Sequence, residues 1–141
     1  MFFIPILVSN IKFPTTSNDL LVVLCGLFVV LGHAFPVYIG FKGGKAVATS
    51  FGVFIWLSPI PIAIAFGIWV LTVVISRYVS LGSIISSLTL TGAIIVFENG
   101  PFNTGLFLTA LSIVVSILII LKHISNIQRI IAGTETKVFK S

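Results

Sequence analysis

The most distinctive polar segment of this sequence is a glycine-rich loop between two apolar runs, residues 33–49 (HAFPVYIGFKGGKAVAT). Adjacent glycines at Gly43 and Gly44 permit positive φ and leave backbone N–H groups unshielded, which suits an anion. Lys42 and Lys45 flank these amides with positive charge, and a helix starting after them would direct its N-terminal dipole to the same place. The pattern predicts a phosphate site. The alternative is a flexible turn whose lysines only mark the cytoplasmic side of a membrane.

Three further polar residues stand near the ends of apolar runs. Histidine changes its charge near neutral pH, so His33 is a candidate proton carrier or hydrogen-bond donor to phosphate. The alternative is that His33 only caps a helix end. Arg77 can bind phosphate with two hydrogen bonds, or simply extend its charge to the membrane surface. Ser80 can serve the same phosphate or N-cap the following helix.

The C-terminal segment, residues 122–135 (KHISNIQRIIAGTE), carries a second polar group. His123, Asn126 and Arg129 are three positions apart, so one helical face can present all of them to a phosphate. The alternative is a basic amphipathic helix lying on an anionic membrane surface. Glu135 is the only acid in this tail, and a structural ion pair is its expected role.

Several chemistries are excluded by what the sequence lacks. The chain has three acids, two histidines and one cysteine, Cys25, in an apolar run. It shows no paired carboxylates, no Ser-His-Asp set, no metal-ligand spacing and no second cysteine for a disulfide. Catalysis in such a chain depends on positioning and on electrostatic stabilisation of phosphate.

The elements that position these residues must be membrane helices. The chain is 57% hydrophobic and 8% charged, whereas soluble domains average about 25% charged residues. A surface with so few charges must face lipid. We therefore predict an all-α fold, a polytopic transmembrane helix bundle of about five membrane segments forming a single membrane domain over residues 1–141. The apolar runs are residues 20–35, 46–57, 62–76, 80–97 and 104–121, of which 46–57 is short enough for a partly re-entrant helix.

The basic residues set the expected orientation. Placing the basic tail, residues 122–141, in the cytoplasm also puts Lys42, Lys45 and Arg77 there and leaves Lys12 on the other side. The glycine-rich loop, the turn after the third run and the tail then gather at one membrane face, where a site would be built. Residues 1–19 are an atypical N-terminus, apolar but without the basic start and cleavage site of a signal peptide.

Three segments together resemble a known family. The run GHAFPVYIGFKGGKAVAT is similar to the central motif of the bacterial PlsY family, the acyl-phosphate:glycerol-3-phosphate acyltransferases. RYVSLGSI and HISNIQRIIAGTE resemble the next two motifs, in the same order, and the similarity runs from about residue 20 to 137. The resemblance implies a plasma-membrane enzyme of phospholipid synthesis that moves a fatty acyl group from acyl phosphate to glycerol 3-phosphate, giving lysophosphatidic acid and phosphate. It implies no metal, cofactor or acyl-CoA, and membrane lipid rather than nucleic acid as surroundings.

The resemblance also implies roles for individual residues. His123 and Asn126 match residues that the family needs for activity, and Glu135 matches one with a structural role. The residues expected at the substrate phosphate are His33, Lys42, Gly43, Gly44, Lys45, Thr49, Arg77 and Ser80.

The sequence departs from the family pattern at three places. The GSxNxGxTN-like motif with which the family opens does not occur before residue 20, Ala46 replaces a usual glycine, and Ile124 replaces a common arginine. The alternatives are therefore a truncated, inactive homologue or, from another class, a small anion transporter or channel subunit. Apart from His33 near the end of the first run, the apolar runs hold only serines, threonines and Cys25 as polar groups, which disfavours transport.

Overall fold

A computed structural model of the chain describes residues 20–41, 43–97 and 105–138. This part of the chain contains six α-helices, one 3-10 turn at Val37–Ile39 and no β-strand. The predicted all-α fold is therefore confirmed. The helices are α1 (Leu20–Ala34), α2 (Val47–Leu57), α3 (Pro59–Ser76), α4 (Val79–Phe97), α5 (Leu106–Lys122) and α6 (Ile124–Ile131).

The helices differ in whether they are long enough to cross a membrane. α3, with 18 residues, and α4, with 19, are long and apolar enough to do so. α5 and α6 together form a third candidate span that is bent by 52° at His123. α1 has 15 residues and α2 has 11. At 1.5 Å per residue, α2 covers about 16 Å of a core about 30 Å thick, so it cannot cross alone. Five apolar helices lie where the sequence predicts them, but only two or three have full spanning length.

Local sequence explains where the middle helices break. Only Ser58 separates α2 from α3, and Pro59 occupies the first position of α3, where a missing N–H is tolerated. α3 ends at Ser76, and its C-cap residue Arg77 adopts a left-handed conformation with φ 63°. α4 then begins at Val79 and runs back along α3.

Close packing joins these two helices into a hairpin. A Cβ atom added to Gly82 of α4 would lie 2.7 Å from Val73 Cγ2 of α3, so the helices approach at a distance that only glycine allows. On its other side α4 packs against α5 through polar groups. Ser116 Oγ donates to the Ser87 carbonyl oxygen at 2.8 Å and lies 3.0 Å from Thr91 Oγ1. Serines and threonines thus form hydrogen bonds between α4 and α5.

The bundle has an apolar core and an apolar outer surface. Val30, Phe54, Ile94 and Leu108, from four different helices, are fully buried. Large apolar side chains such as Val96, at 73% exposure, nevertheless remain on the outside. Such a surface fits lipid better than water.

Candidate functional site

The three polar segments meet at one end of the bundle. Lys45 Nζ, in the glycine-rich loop, donates to Asn126 Oδ1 of α6 at 2.7 Å. Ser80 Oγ, in the first turn of α4, donates to Glu135 Oε1 of the tail at 2.8 Å. The loop, the α3–α4 turn and the tail therefore form one polar cluster, as the sequence predicts.

The glycine-rich loop folds back onto the end of α1. A Cβ atom at Gly43 would collide with the carbonyl oxygens of His33 and Ala34, and one at Gly44 would lie 2.5 Å from His33 Nε2. These two glycines permit positive φ but do not adopt it; within residues 33–49, positive φ occurs instead at Gly40, Phe41 and Ala46. Close approach of the loop to the backbone of α1, and not backbone conformation, requires glycine at position 43, whereas a Cβ at position 44 would displace the His33 side chain.

The start of α2 contributes backbone to the same place. Ala46 is the N-cap of α2, is 1% exposed and has a left-handed φ of 60°. This conformation is unfavourable for alanine by about 1 kcal/mol or more, and glycine adopts it freely. Val47 and Ala48, in the first turn of α2, line the cavity described next, so the positive end of the helix dipole faces it.

A cavity of about 590 Å³ opens beside this cluster. One part of its wall is polar and is formed by His33, Lys45, Ser80, His123, Asn126 and Glu135. The remainder is largely apolar and includes Phe51, Ile62, Phe66, Trp69, Leu90 and Val115. A cavity with this division suits a ligand with an anionic head and an apolar chain.

Asn126 is the centre of the polar network. Its amide is 5% exposed, accepts from Lys45 and donates through Nδ2 to Glu135 Oε1 at 2.6 Å. Arg129 Nε completes the network with a 2.7 Å contact to Glu135 Oε2. Asn126 and Arg129 thus lie on one side of α6, and Glu135 makes the ion pair expected for it.

Three hydrogen bonds stabilise the charged form of the Glu135 carboxylate. Those from Asn126, Arg129 and Ser80 lower the pKa of Glu135 from 4.5 to about 2. Glu135 is therefore ionised at neutral pH and acts as an acceptor that holds the tail against α4 and α6.

His123 lies at the bend between α5 and α6 and is 3% exposed. Its Nδ1 is 2.8 Å from the Ile119 carbonyl oxygen. Because a carbonyl only accepts, Nδ1 carries the hydrogen, and in the neutral ring Nε2 is then an acceptor. The imidazole lines the cavity, so its Nε2 can accept a hydrogen bond from a bound hydroxyl.

The other expected site residues are placed differently. Arg77 is exposed outside the cavity wall, and its carbonyl oxygen accepts from the Val138 backbone N–H at 2.9 Å. Thr49 also does not line the cavity, and Lys42 lies outside the described residues. Because α4 begins at Val79, Ser80 is within the first turn and is not its N-cap, which corrects that alternative.

Sequence analysis missed a row of serines on α4. Ser83, Ser86 and Ser87 extend from Ser80 along the cavity wall, and Trp69 Nε1 contacts Ser83 Oγ at 3.4 Å. The spacing of three and four residues among 80, 83 and 87 is a helical-face signal that was available in the sequence. Among residues 20–41, 43–97 and 105–138, no three His, Cys, Asp or Glu side chains come together as metal ligands.

Comparison with known sequences gives a consistent result. A sequence model described as "Glycerol-3-phosphate acyltransferase" matches residues 2–133, starting well before residue 20, where the resemblance seen in the motifs begins. A protein of Bacillus anthracis named glycerol-3-phosphate acyltransferase 2 is 41% identical over 122 residues, covering 86% of this chain and 61% of the relative. The glycerol-3-phosphate acyltransferase of Desulfotalea psychrophila is 42% identical over 140 residues, covering 94% of this chain and 66% of the relative.

Solved structures agree with the sequence matches. Crystal structures of PlsY (YgiH), an integral membrane glycerol 3-phosphate acyltransferase, align with a TM-score of 0.80 and 34% identity. The glycerol 3-phosphate form covers 87% of this chain and 59% of PlsY, and the lysophosphatidic acid form covers 97% and 66%. The chain is thus a membrane protein that spans about three fifths to two thirds of the length of the relatives it matches. It belongs to the glycerol-3-phosphate acyltransferase family.

Proposed function

We propose that this chain transfers a fatty acyl group from acyl phosphate to glycerol 3-phosphate in phospholipid synthesis, forming lysophosphatidic acid and phosphate. One observation carries the proposal: Lys45 and the first turn of α2 lie at the polar part of a cavity whose remaining wall is apolar. Such a cavity accommodates two phosphorylated substrates, one of which has a hydrocarbon chain. The names of the relatives and the two ligand forms of PlsY support this assignment by analogy.

The reaction requires little covalent chemistry from the protein. The 1-hydroxyl oxygen of glycerol 3-phosphate attacks the acyl carbonyl carbon, and the bond from that carbon to the phosphate oxygen breaks. The electron pair of this bond leaves with phosphate, which takes up the hydroxyl proton. Because acyl phosphate is already activated, neither an enzyme nucleophile nor a strong base is needed.

Each polar group then has a defined task. Lys45 and the α2 backbone bind the phosphate of glycerol 3-phosphate, with Lys42 in the same motif a further candidate. His123 accepts a hydrogen bond from the attacking hydroxyl at Nε2 and orients it. Asn126 holds the Lys45 ammonium in the cavity wall. These roles rest on the positions of the side chains and on the family motif.

The proposed location is the cytoplasmic side of the plasma membrane, with several helices crossing. Lys45, Lys122, Arg129 and Lys137 all belong to the end of the bundle that holds the cluster. Basic residues accumulate on the cytoplasmic side of membrane proteins, so this end is assigned to the cytoplasm. Protease protection of a tag after residue 141, in sealed right-side-out vesicles, tests this orientation: protection is expected, and cleavage from outside would contradict it.

The test of the activity is acyl transfer from palmitoyl phosphate to labelled glycerol 3-phosphate, in membranes that carry only this chain. Labelled lysophosphatidic acid is expected. Lys45→Ala should raise KM for glycerol 3-phosphate about tenfold, equivalent to about 1.4 kcal/mol of binding. Lys137→Ala is the matched control, because it removes one charge from the tail at a residue outside the cavity wall. His123→Ala should lower kcat.

Three results would count against the proposal. No product from a well-inserted chain would refute turnover, and glycerol 3-phosphate binding without product would indicate the inactive homologue. An unchanged KM in the Lys45→Ala variant would remove Lys45 from the phosphate site.

A further inference from the structure

Lys122, the last residue of α5, makes two contacts with the end of α1. Its Nζ donates to the Ala34 carbonyl oxygen at 2.8 Å and lies 4.1 Å from the centroid of the Phe35 ring. The C-terminal carbonyls of a helix have no partner within the helix, and the helix dipole makes this end negative. An ammonium group placed there satisfies a carbonyl and gains a cation–π contact.

These contacts join the two halves of the proposed site. On one side, Gly43 packs directly against the carbonyl oxygens of His33 and Ala34, so the end of α1 supports the glycine-rich loop. On the other side, Lys122 immediately precedes His123, at the bend that leads into α6. Lys122 therefore connects the loop, through α1, to the segment that carries His123 and Asn126.

A second link between these halves is the hydrogen bond from Lys45 to Asn126. It lies in the cavity wall, and a bound phosphate competes for the same ammonium group. Lys122 does not line the cavity, so a ligand leaves its contacts with Ala34 and Phe35 in place. Of these two links, the Lys122 contacts are therefore the one that does not depend on the substrate.

We propose that Lys122 is a positioning residue: it holds the glycine-rich loop and the His123–Asn126 segment at a fixed relative position while the Lys45 ammonium group binds phosphate. The part of this inference that concerns the ligand rests on the proposed function. The tie itself does not, because it predicts order in the loop whether or not the chain binds glycerol 3-phosphate.

The experiment compares Lys122→Met with Lys122→Arg. Methionine keeps an unbranched side chain about one atom shorter but removes the charge and the hydrogen-bond donor, whereas arginine keeps the charge and the donor. Lys137→Met is the control for loss of one tail charge. Hydrogen exchange is measured in purified protein, together with the dissociation constant for glycerol 3-phosphate. The amides followed are those of Phe41 and Ser50, which lie on either side of the two glycines and are hydrogen-bonded to the carbonyl oxygens of Pro36 and Ala46. Lys122→Met should speed exchange at these two amides about tenfold and leave α3 and α4 unchanged. Lys122→Met should also raise the dissociation constant for glycerol 3-phosphate about tenfold. Lys122→Arg should keep the exchange rates and the dissociation constant within about threefold of the wild-type values.

The outcomes separate the two proposals. If the wild-type chain does not bind glycerol 3-phosphate, the proposed function fails, and the exchange of the Phe41 and Ser50 amides still decides whether the tie exists. Unchanged exchange at these two amides in Lys122→Met overturns the positioning role. Equal loss of protection in α3 and α4 also overturns it, since Lys122 would then only support the fold as a whole. Wild-type affinity in Lys122→Met, with a wild-type chain that binds, overturns the effect on the ligand.

Discussion

Replacing Glu135 by glutamine should destabilise the attachment of the tail and remove its dependence on pH. Glu135 accepts hydrogen bonds from Asn126 at 2.6 Å, Ser80 at 2.8 Å and Arg129 at 2.7 Å. A hydrogen bond to a charged group contributes about 1.5–3 kcal/mol, but the exposed Arg129 contributes at most about 1 kcal/mol. Glutamine keeps one acceptor and turns a donor towards the others. We expect a loss of about 2 kcal/mol, or about 6 °C in Tm for a chain of this size.

The pH dependence has a definite sign. The pKa of Glu135 is 4.5 in the unfolded chain and about 2 in the folded protein. Between these values the unfolded state binds more protons, so the contribution of Glu135 is complete above about pH 5 and is lost as pH falls towards 2. The sequence contains two other acidic residues, Asp19 and Glu98, and both are present in the wild type and in the variant. The difference between wild type and Glu135→Gln therefore isolates this one group.

The assay is thermal unfolding in detergent at several pH values from 7 to 3. The Tm difference between wild type and Glu135→Gln should be largest at pH 7 and should shrink below pH 5. An equal Tm at pH 7, or a difference that stays constant down to pH 3, would refute the assignment of Glu135 as an ionised acceptor in the folded protein.

Three further predictions concern packing. Gly82→Ala should lower the free energy of unfolding by about 1–3 kcal/mol, because its Cβ would lie 2.7 Å from Val73 Cγ2. Gly92→Ala on the same helix is the control: its Cβ meets no atom within 4 Å, so it should raise the free energy of unfolding by about 0.5–1 kcal/mol, and equal Tm shifts of the two variants would contradict the Gly82 contact. Ala46→Gly should raise the free energy of unfolding by up to about 1 kcal/mol, since φ is 60° there, and urea titration showing a clear loss would contradict it. Ser116→Ala should lower the free energy of unfolding by about 1 kcal/mol, because it removes the α4–α5 hydrogen bonds; this loss is measured as a lower Tm, and an unchanged Tm would contradict that role.

The helices could be predicted because membrane segments are long runs of predominantly apolar residues. The breaks at Pro59 and near Arg77 are visible as a proline and as the end of an apolar run. What hydropathy could not give is helix length in space: the run 46–57 reads as a short segment, and only the structure shows an 11-residue helix followed after one residue by α3. Hydropathy measures how well a segment tolerates lipid and does not say whether it crosses.

The site was predicted in part, and the reason differs from residue to residue. Lys45, Asn126 and Glu135 follow from motifs, but their mutual hydrogen bonds join positions up to 81 residues apart and cannot be read from local spacing. The sequence suggests that Gly43 is glycine because of positive φ, whereas the structure shows that its close contact with the end of α1 leaves no room for a side chain. Arg77 resembled a phosphate ligand by residue type, and its side chain nevertheless lies outside the cavity wall. Long-range contact and side-chain direction are properties of the packed bundle.

The order of the Lys45–Asn126–Glu135 network along the chain has a consequence for biosynthesis. Lys45 emerges from the ribosome long before Asn126 and Glu135, and the helices between them can enter the membrane in the meantime. The amide of Asn126 gains its second partner when the carboxylate nine residues later follows. Membrane insertion of the helices and assembly of this network are thus separate events, and the segment that follows α5 completes the network.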